Sequence, residues 1–305
     1  NMGLRMGQSK YDAADYLSYR LLERLLRAQH DERDVTKTQF WKLPCIVDRY
    51  LQDELNEDVE LPRYWYQYGE ILNSHAVSDG IFMQQENTAW GGTRIELSPG
   101  IDDTQFNIEK ETREAVDRAV HKVVSDFANK DTEVVKQHQY EQYSPTEFIR
   151  VFDDFRQRLE VDEPSTTLSD FGEGGETPSQ VALNHLDDVY EIYPKETYDE
   201  GYPLFLRWED TVRMILEDED IESARSITES FWEAFSKIEL RLKHEQNTPK
   251  TQIAKWEREK SEVISDFRNR LSNIREDALT DRDDDGDRVL DTVSESYSDT
   301  VREML

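Results

Sequence analysis

Apolar residues recur every three or four positions along much of this chain, and that spacing marks helices. Tyr11, Ala14, Leu17, Leu21, Leu22 and Leu25 form one stripe over residues 10–29. A second stripe of Phe40, Leu43, Val47, Tyr50, Leu51 and Leu55 begins behind Thr36 and Gln39, which have the spacing of a capping box. Pro44 lies inside that stripe and predicts a kink or a delayed start, because it lacks an N–H and crowds the preceding turn. Leu61 to Tyr68 is dense in aromatics, and Gly69 with the small polar residues Asn73 to Gly80 predicts a turn or a short capped helix. Ile81 to Gln85 and Thr93 to Leu97 are extended segments joined through Gly91-Gly92, the outline of a β-hairpin. Helical spacing returns with Ala115, Val116, Ala119, Val120, Val123 and Val124, and Ser144-Pro145 opens a further helix through Phe148, Ile149, Phe152 and Phe155.

Periodicity disappears over residues 161–180, a stretch rich in Pro, Gly, Ser and acid, so the domain boundary is expected there. Beyond it, Ala224, Ile227, Phe231, Phe235, Ile238 and Leu242 make one helical stripe, and Ile253, Trp256, Val263, Phe267, Leu271 and Ile274 make another. Thr248-Pro249 between them reads as an N-cap followed by proline in the first turn, which predicts an antiparallel helical hairpin with arms of roughly 35–45 Å. The expected fold is mainly α with a small β-hairpin. A winged-helix-like helical domain over 1–160 precedes a linker at 161–180 and a helical domain with a long antiparallel helix pair over 181–305.

Charge adds the setting. The 67 Asp and Glu against 37 Lys and Arg leave a net of -30 over 305 residues, with no single acidic tail to account for it. Acid distributed along helix faces keeps a protein hydrated where salt screens charge to within about 3 Å, so the composition points to a salt-adapted, haloarchaeal type of cytoplasmic protein. The 36% hydrophobic content supplies real cores and argues against wholesale disorder. No apolar run approaches the roughly 20 residues of a membrane span, and no signal-peptide core is visible. The single cysteine, Cys45, excludes an intramolecular disulfide and sits among Leu43, Ile46 and Val47 as a small core residue.

Chemistry-bearing motifs are few. Asp281, Asp283 and Asp285 followed by Gly286 begin as an EF-hand loop begins, and could hold Ca²⁺ or another cation at 281–287. The twelfth position is Thr292 rather than a bidentate Glu, which favours a solvated interhelical loop. No two histidines have the spacing of a zinc pair on one helix face, and no nucleophile elbow, P-loop or dinucleotide-binding turn is present. Where acid is missing is more telling. Residues 236–260 hold seven Lys or Arg against four Glu, a net of +3. Lys237, Arg241, Lys243, Lys250, Lys255 and Arg258 there are a candidate partner-binding patch, the alternative being i,i+4 pairing such as Glu239 with Lys243.

The run from Thr36 to Gly69 resembles the start of the Panacea domain of phage-associated and antitoxin proteins. The matching positions are Lys42, Leu43, Tyr50, Trp65, Tyr66, Tyr68 and Gly69, with Pro44 and Glu70 as departures from the family pattern. The resemblance implies a small helical, winged-helix-like domain that docks on or neutralises another protein without catalysis of its own. The expected function is therefore a non-enzymatic, antitoxin-like protein-interaction module. The rival expectations are a winged-helix nucleic-acid-binding regulator, with Lys37, Thr38, Gln39 and Lys42 at the groove and Arg94 at phosphate, and an enzyme whose site is assembled from distant residues.

Overall fold

The computed structural model describes residues 11–28, 35–87, 92–160 and 177–303, with the backbone alone described at 87, 92 and 277–303. The chain divides into two units that are each discontinuous in sequence. Unit 1 is Asn1–Arg150 with Glu239–Arg258, and unit 2 is Val151–Ile238 with Glu259–Leu305. The expected linker falls almost entirely on residues 161–176, which lie outside the described residues, and helix begins at Pro178 behind the N-cap Thr177.

Unit 1 opens with α1 (Ala13–Ala28) and α2 (Lys37–Leu55), as the two apolar stripes predict. Both halves of the capping box at Thr36 and Gln39 are present, which satisfies two of the otherwise orphaned N–H groups at the start of α2. The helix starts at Lys37 and runs on through Pro44 to Leu55, so the proline neither delays nor ends it. Its C-terminus is closed by Asn56 in the left-handed region at φ 51°, donating its N–H to the Leu51 carbonyl. The apolar faces of α1, α2 and α3 (Lys110–Phe127) meet through Leu17, Leu21, Leu25, Phe40, Leu43, Val47, Val116 and Val120, all fully buried or nearly so. Each such side chain contributes about 1.5–3 kcal/mol on leaving water.

Two hairpins follow α2. The second, β3 (Phe82–Asn87) with β4 (Gly92–Leu97), is the predicted one, and β4 is tied to the entrance of α2 by a bridge between Thr36 and Arg94 and by Ile95 N–H donating to the Val35 carbonyl at 2.9 Å. The first, β1 (Arg63–Tyr66) with β2 (Gly69–Leu72), occupies the aromatic segment whose period the sequence leaves undecided. Four-residue strands are too short to show alternation clearly, and Trp65 is buried while its neighbours Tyr64 and Tyr66 are only partly covered. A third strand, β5 (Glu245–Gln246), joins from far along the chain and gives an antiparallel sheet of order β2-β1-β5. Unit 1 is completed by α4 (Thr132–Tyr143) and the start of α5 (Glu147–Glu160).

Unit 2 is helical among its described residues. It holds the rest of α5, then α6 (Pro178–Glu191), α7 (Tyr202–Glu217) and α8 (Ile221–Phe235), which continues through a π-helical turn at Ser236–Leu240 into the short α9 (Arg241–Lys243) of unit 1. Its core is aromatic. Phe152 stacks on Trp232 at 4.7 Å and Trp208 on Phe231 at 4.7 Å between ring centroids. The last helix, α10 (Lys250–Glu303), begins in unit 1 and passes into unit 2, where Phe267 meets Phe231 and Arg270 donates to Ser226. Those pairings run in opposite sequence directions, as the predicted antiparallel hairpin requires. The loop expected around Asp281, Asp283 and Asp285 is not a loop: the α10 backbone stays helical through it, which removes the turn that an EF-hand needs. The side chains of these three residues lie outside the described residues, and no group of three His, Cys, Asp or Glu fit for a metal occurs among the described ones. Among the described residues no helix is long and apolar enough to cross a membrane.

Candidate functional site

The polar chemistry of unit 1 is gathered where α2 crosses the β1–β2 hairpin. Lys42, Asp48, Arg49 and Gln52 lie along one side of α2, polar side chains beside its apolar stripe. Arg63 from β1 donates through Nε to Asp48 Oδ2 at 2.7 Å and through Nη1 to Glu70 Oε1 from β2, with all three side chains buried. Arg49 closes the far side of Glu70, with Nη2 3.0 Å from Oε1 and Nε 3.2 Å from Oε2. Two guanidinium groups thus face two carboxylates, which makes the burial tolerable. Asp48 nevertheless has Oδ1 buried without a hydrogen-bond partner. Burial pushes its pKa up to about 6 against the pull of Arg63. Burial likewise raises the Cys45 thiol well above its ordinary range, which makes it a core residue and not a nucleophile.

The turn between β1 and β2 is held from beneath. Lys42 Nζ donates to the Tyr68 carbonyl and to Gln139 Oε1, the latter at 3.0 Å. Gln139 Nε2 donates to the Glu70 carbonyl at 2.9 Å, and Tyr140 Oη to the Gln67 carbonyl at 3.1 Å. Gly69 takes φ +105°, a conformation for which glycine is suited. Above this fixed backbone the Tyr68 side chain remains 52% exposed.

Beside the sheet opens a cleft of about 440 Å³. Arg49, Asp53, Trp65 and Glu70 line one part of it, Gln142 to Pro145 at the end of α4 another, and Lys243 to Gln246 a third. The His244 carbonyl accepts from Trp65 N–H at 3.3 Å, which anchors the α9–β5 segment to β1. Burial, with Lys243 and Arg49 adding to it, brings His244 down to about 4, so its imidazole is neutral at neutral pH. Tyr143 is shifted the other way, by burial first and then by Asp53.

Of the residues expected to contact nucleic acid, Arg94 is brought by its bridge with Thr36 to the entrance of α2, where Lys37, Thr38 and Gln39 lie, whereas Lys42 is placed apart. Lys42 is buried under the turn and is unavailable to any groove, because its ammonium carries the Tyr68 carbonyl. Gln39 closes the capping box, Thr38 is exposed beside it, Lys37 lies over the Trp41 ring at 4.3 Å, and Arg94 pairs with Glu96 at 2.8 Å. Of the expected partner-binding patch, Lys237 belongs to unit 2 and pairs with Glu233 at 2.6 Å, while Lys243 stands 3.7 Å from Glu239. Arg241 is buried with its guanidinium over Trp256 at 5.1 Å. Lys250, Lys255 and Arg258 are exposed on the first turns of α10.

Sequence reading missed Asp48, Arg49, Arg63, Glu70, Gln139 and His244. The signal for the first two was present, since charges on the inner side of a capped amphipathic helix need buried partners. Their partners Arg63 and Glu70 come from four-residue strands, which no local pattern connects to them. No family model matches the chain, and no curated protein and no solved structure matches it either.

Proposed function

We propose that the chain is a non-catalytic protein-binding module of a salt-adapted cell, antitoxin-like in the sense that the Panacea resemblance implies. The observation that carries this reading is the β1–β2 turn, where a backbone fixed by Lys42, Gln139 and Tyr140 presents an exposed Tyr68. A turn whose backbone is already fixed loses little entropy on docking, and exposed tyrosines are among the residues that dominate binding energy at protein interfaces. Five of the seven positions shared with the Panacea pattern lie at this feature: Lys42 supports the turn, Trp65 is buried in β1, Tyr66 ends that strand, Tyr68 lies in the turn and Gly69 provides its conformation, whereas Leu43 and Tyr50 pack in the core of unit 1.

The experiment is co-expression with the product of the neighbouring reading frame, followed by purification of the complex from wild-type and Tyr68→Ala chains. A complex lost in the variant with unchanged circular dichroism supports the reading, and a complex retained undiminished removes the turn from it. The winged-helix reading draws on one observation, the tie between β4 and the entrance of α2, which sets a hairpin beside that helix. Mobility shift of duplex DNA that weakens on Lys37→Glu would favour it.

A further inference from the structure

We propose that the outer edge of β3 pairs with a second copy of this chain: two β3 strands meet antiparallel about a two-fold axis at Gln84 and join two hairpins into one sheet of order β4-β3-β3-β4. This goes beyond the protein-binding reading and does not rest on it.

The first support is an open edge. Among the described residues the β3–β4 sheet is two-stranded. The outer side of β4 is covered by the chain before α2, where Ile95 N–H donates to the Val35 carbonyl at 2.9 Å. β3 has no such cover among the described residues. Ser98 N–H donates to the Ile81 carbonyl at 3.0 Å, and the register runs from Phe82 opposite Leu97 to Asn87 opposite Gly92. In an antiparallel ladder every second residue turns its backbone groups to the neighbouring strand, so Ile81, Met83 and Gln85 face β4 while Phe82, Gln84 and Glu86 face away from it. Among the described residues the outward N–H and C=O groups of these three have no hydrogen-bond partner, and the Gln84 and Glu86 side chains are exposed.

The second support is the absence of the features that keep sheet edges apart, namely lysines, prolines and bulges. The β3 register is unbroken from Phe82 to Asn87, and Glu86 is the one charged residue in that strand, although 34% of the chain is charged. A copy bearing a net charge of -30 can approach its twin only where charge is locally sparse, and β3 is such a place.

The third support is self-complementarity, which selects a second copy as the occupant. Gln84 is the middle one of the three outward residues, so a two-fold axis there sets Gln84 against its counterpart and Phe82 against Glu86 of the second copy, with each outward backbone group paired. The two Gln84 amides can donate to and accept from each other. The two Glu86 side chains fall at opposite ends of the pairing, about 14 Å apart along the strands at about 3.4 Å per residue.

The test is sedimentation of the full chain in molar KCl, where charge is screened to about 3 Å. At about 100 μM the chain should be dimeric. Gln84→Pro removes an N–H that β4 does not use, and Gln84→Lys sets two ammonium groups against each other at the axis; each should weaken the dimer about tenfold or more. Thermal unfolding checks that both are folded, and Gln84→Lys, a change at an exposed side chain, serves if Gln84→Pro is not. Opposed Cα atoms at the axis lie about 5.5 Å apart, within disulfide range. Under mild oxidation Gln84→Cys should therefore yield a covalent dimer and Glu86→Cys should not, with the buried Cys45 silent in both. A monomer at all concentrations up to about 1 mM would overturn the proposal. So would a dimer undiminished in the folded Gln84 variants, cross-linking of Glu86→Cys as readily as Gln84→Cys, or a monomer whose β3 edge takes up an extended peptide instead. The Tyr68→Ala chain should dimerise as wild type does, which separates this outcome from that of the co-expression experiment.

Discussion

Gly69 and Gln139 approach so closely that a Cβ on the glycine would meet Gln139 Oε1 at 2.6 Å, with Lys42 Nζ 3.1 Å away. Gln139 is fixed at its other end by the Glu70 carbonyl, so it cannot withdraw without giving up a buried hydrogen bond. Gly69→Ala combines this collision with φ +105° and should cost about 2–4 kcal/mol in urea unfolding. Gly100, at φ +81° with nothing within 4 Å of its Cβ position, is the control, and Gly100→Ala should cost only the backbone part, about 1 kcal/mol. Equal losses at the two glycines would mean that the turn is not held as described.

Arg63 stands between two buried carboxylates, and removing it leaves both short of a partner. Arg63→Met should destabilise unit 1 by about 3–5 kcal/mol, the usual range for breaking a buried pair from one side. Asp48→Asn should cost less, because Asp48 sits at a pKa of about 6 and its charge is already disfavoured by burial. Equilibrium denaturation at pH 7 compares the two, and a reversed order would contradict the assignment of Glu70 and Asp48 to one shared guanidinium.

Acid should act on His244 and Asp48 in opposite directions. The folded imidazole at about 4 lies below its unfolded value near 6.5, so His244 withdraws stability as pH falls from about 6.5 to about 4. The folded Asp48 carboxyl at about 6 lies above its unfolded value near 3.9, so it restores stability as pH falls through a similar window. The wild-type stability contributed by this pair should therefore be flat there. His244→Gln removes only the first effect, and the variant should gain stability relative to wild type by about 2 kcal/mol between pH 6.5 and 4. A constant difference across that interval would show that His244 does not remain neutral.

A chain ending at residue 160 lacks the second segment of unit 1. It loses β5 from the edge of β1, the contact of Trp256 with Tyr64 at 4.9 Å, and the paired amides of Gln252 and Asn73 at 2.9 and 3.2 Å. The truncated chain should bind a hydrophobic dye and unfold at lower urea than unit 1 within the whole protein. Joining residues 239–258 to it through a flexible linker should recover most of the difference. Native-like stability of the short chain would show that the segment is an accessory.

The net charge of -30 makes a separate claim about salt. Thermal midpoints should fall steeply from molar KCl to about 0.1 M as screening of the excess carboxylates is withdrawn. A flat profile would remove the salt-adapted reading.

Elements with a long apolar period were legible in the sequence. The stripe from Phe40 to Leu55 gave α2, and the Thr36 and Gln39 cap gave its start. The β3–β4 hairpin was legible because glycines separate two extended runs. α4 was not legible, since of its residues only Val135, Gln139 and Tyr140 are buried, and a glutamine among them breaks the apolar stripe. Gln139 is there for Lys42 and the Glu70 carbonyl, a requirement set by tertiary contact and invisible to local pattern. Asp281, Asp283 and Asp285 mislead for a related reason: alternating acids in a chain this rich in carboxylate are as compatible with a solvated helix as with a loop. The cleft was beyond reach because its parts are brought together by β5, a two-residue strand without a signature of its own.

The return of Glu239–Arg258 to unit 1 also sets a schedule for synthesis. When Arg150 leaves the ribosome, β1 has β2 on one side and nothing from β5 on the other, and residues 151–238 must be translated before that strand exists. At about 5–20 residues per second the interval lasts roughly 5–20 s, far longer than secondary structure needs to form. The nascent chain therefore spends that time with an uncovered sheet edge and the ring of Tyr64 unshielded by Trp256. A halt in translation after residue 150 would leave a substrate for chaperones, whereas one after residue 258 would leave unit 1 with every segment it requires.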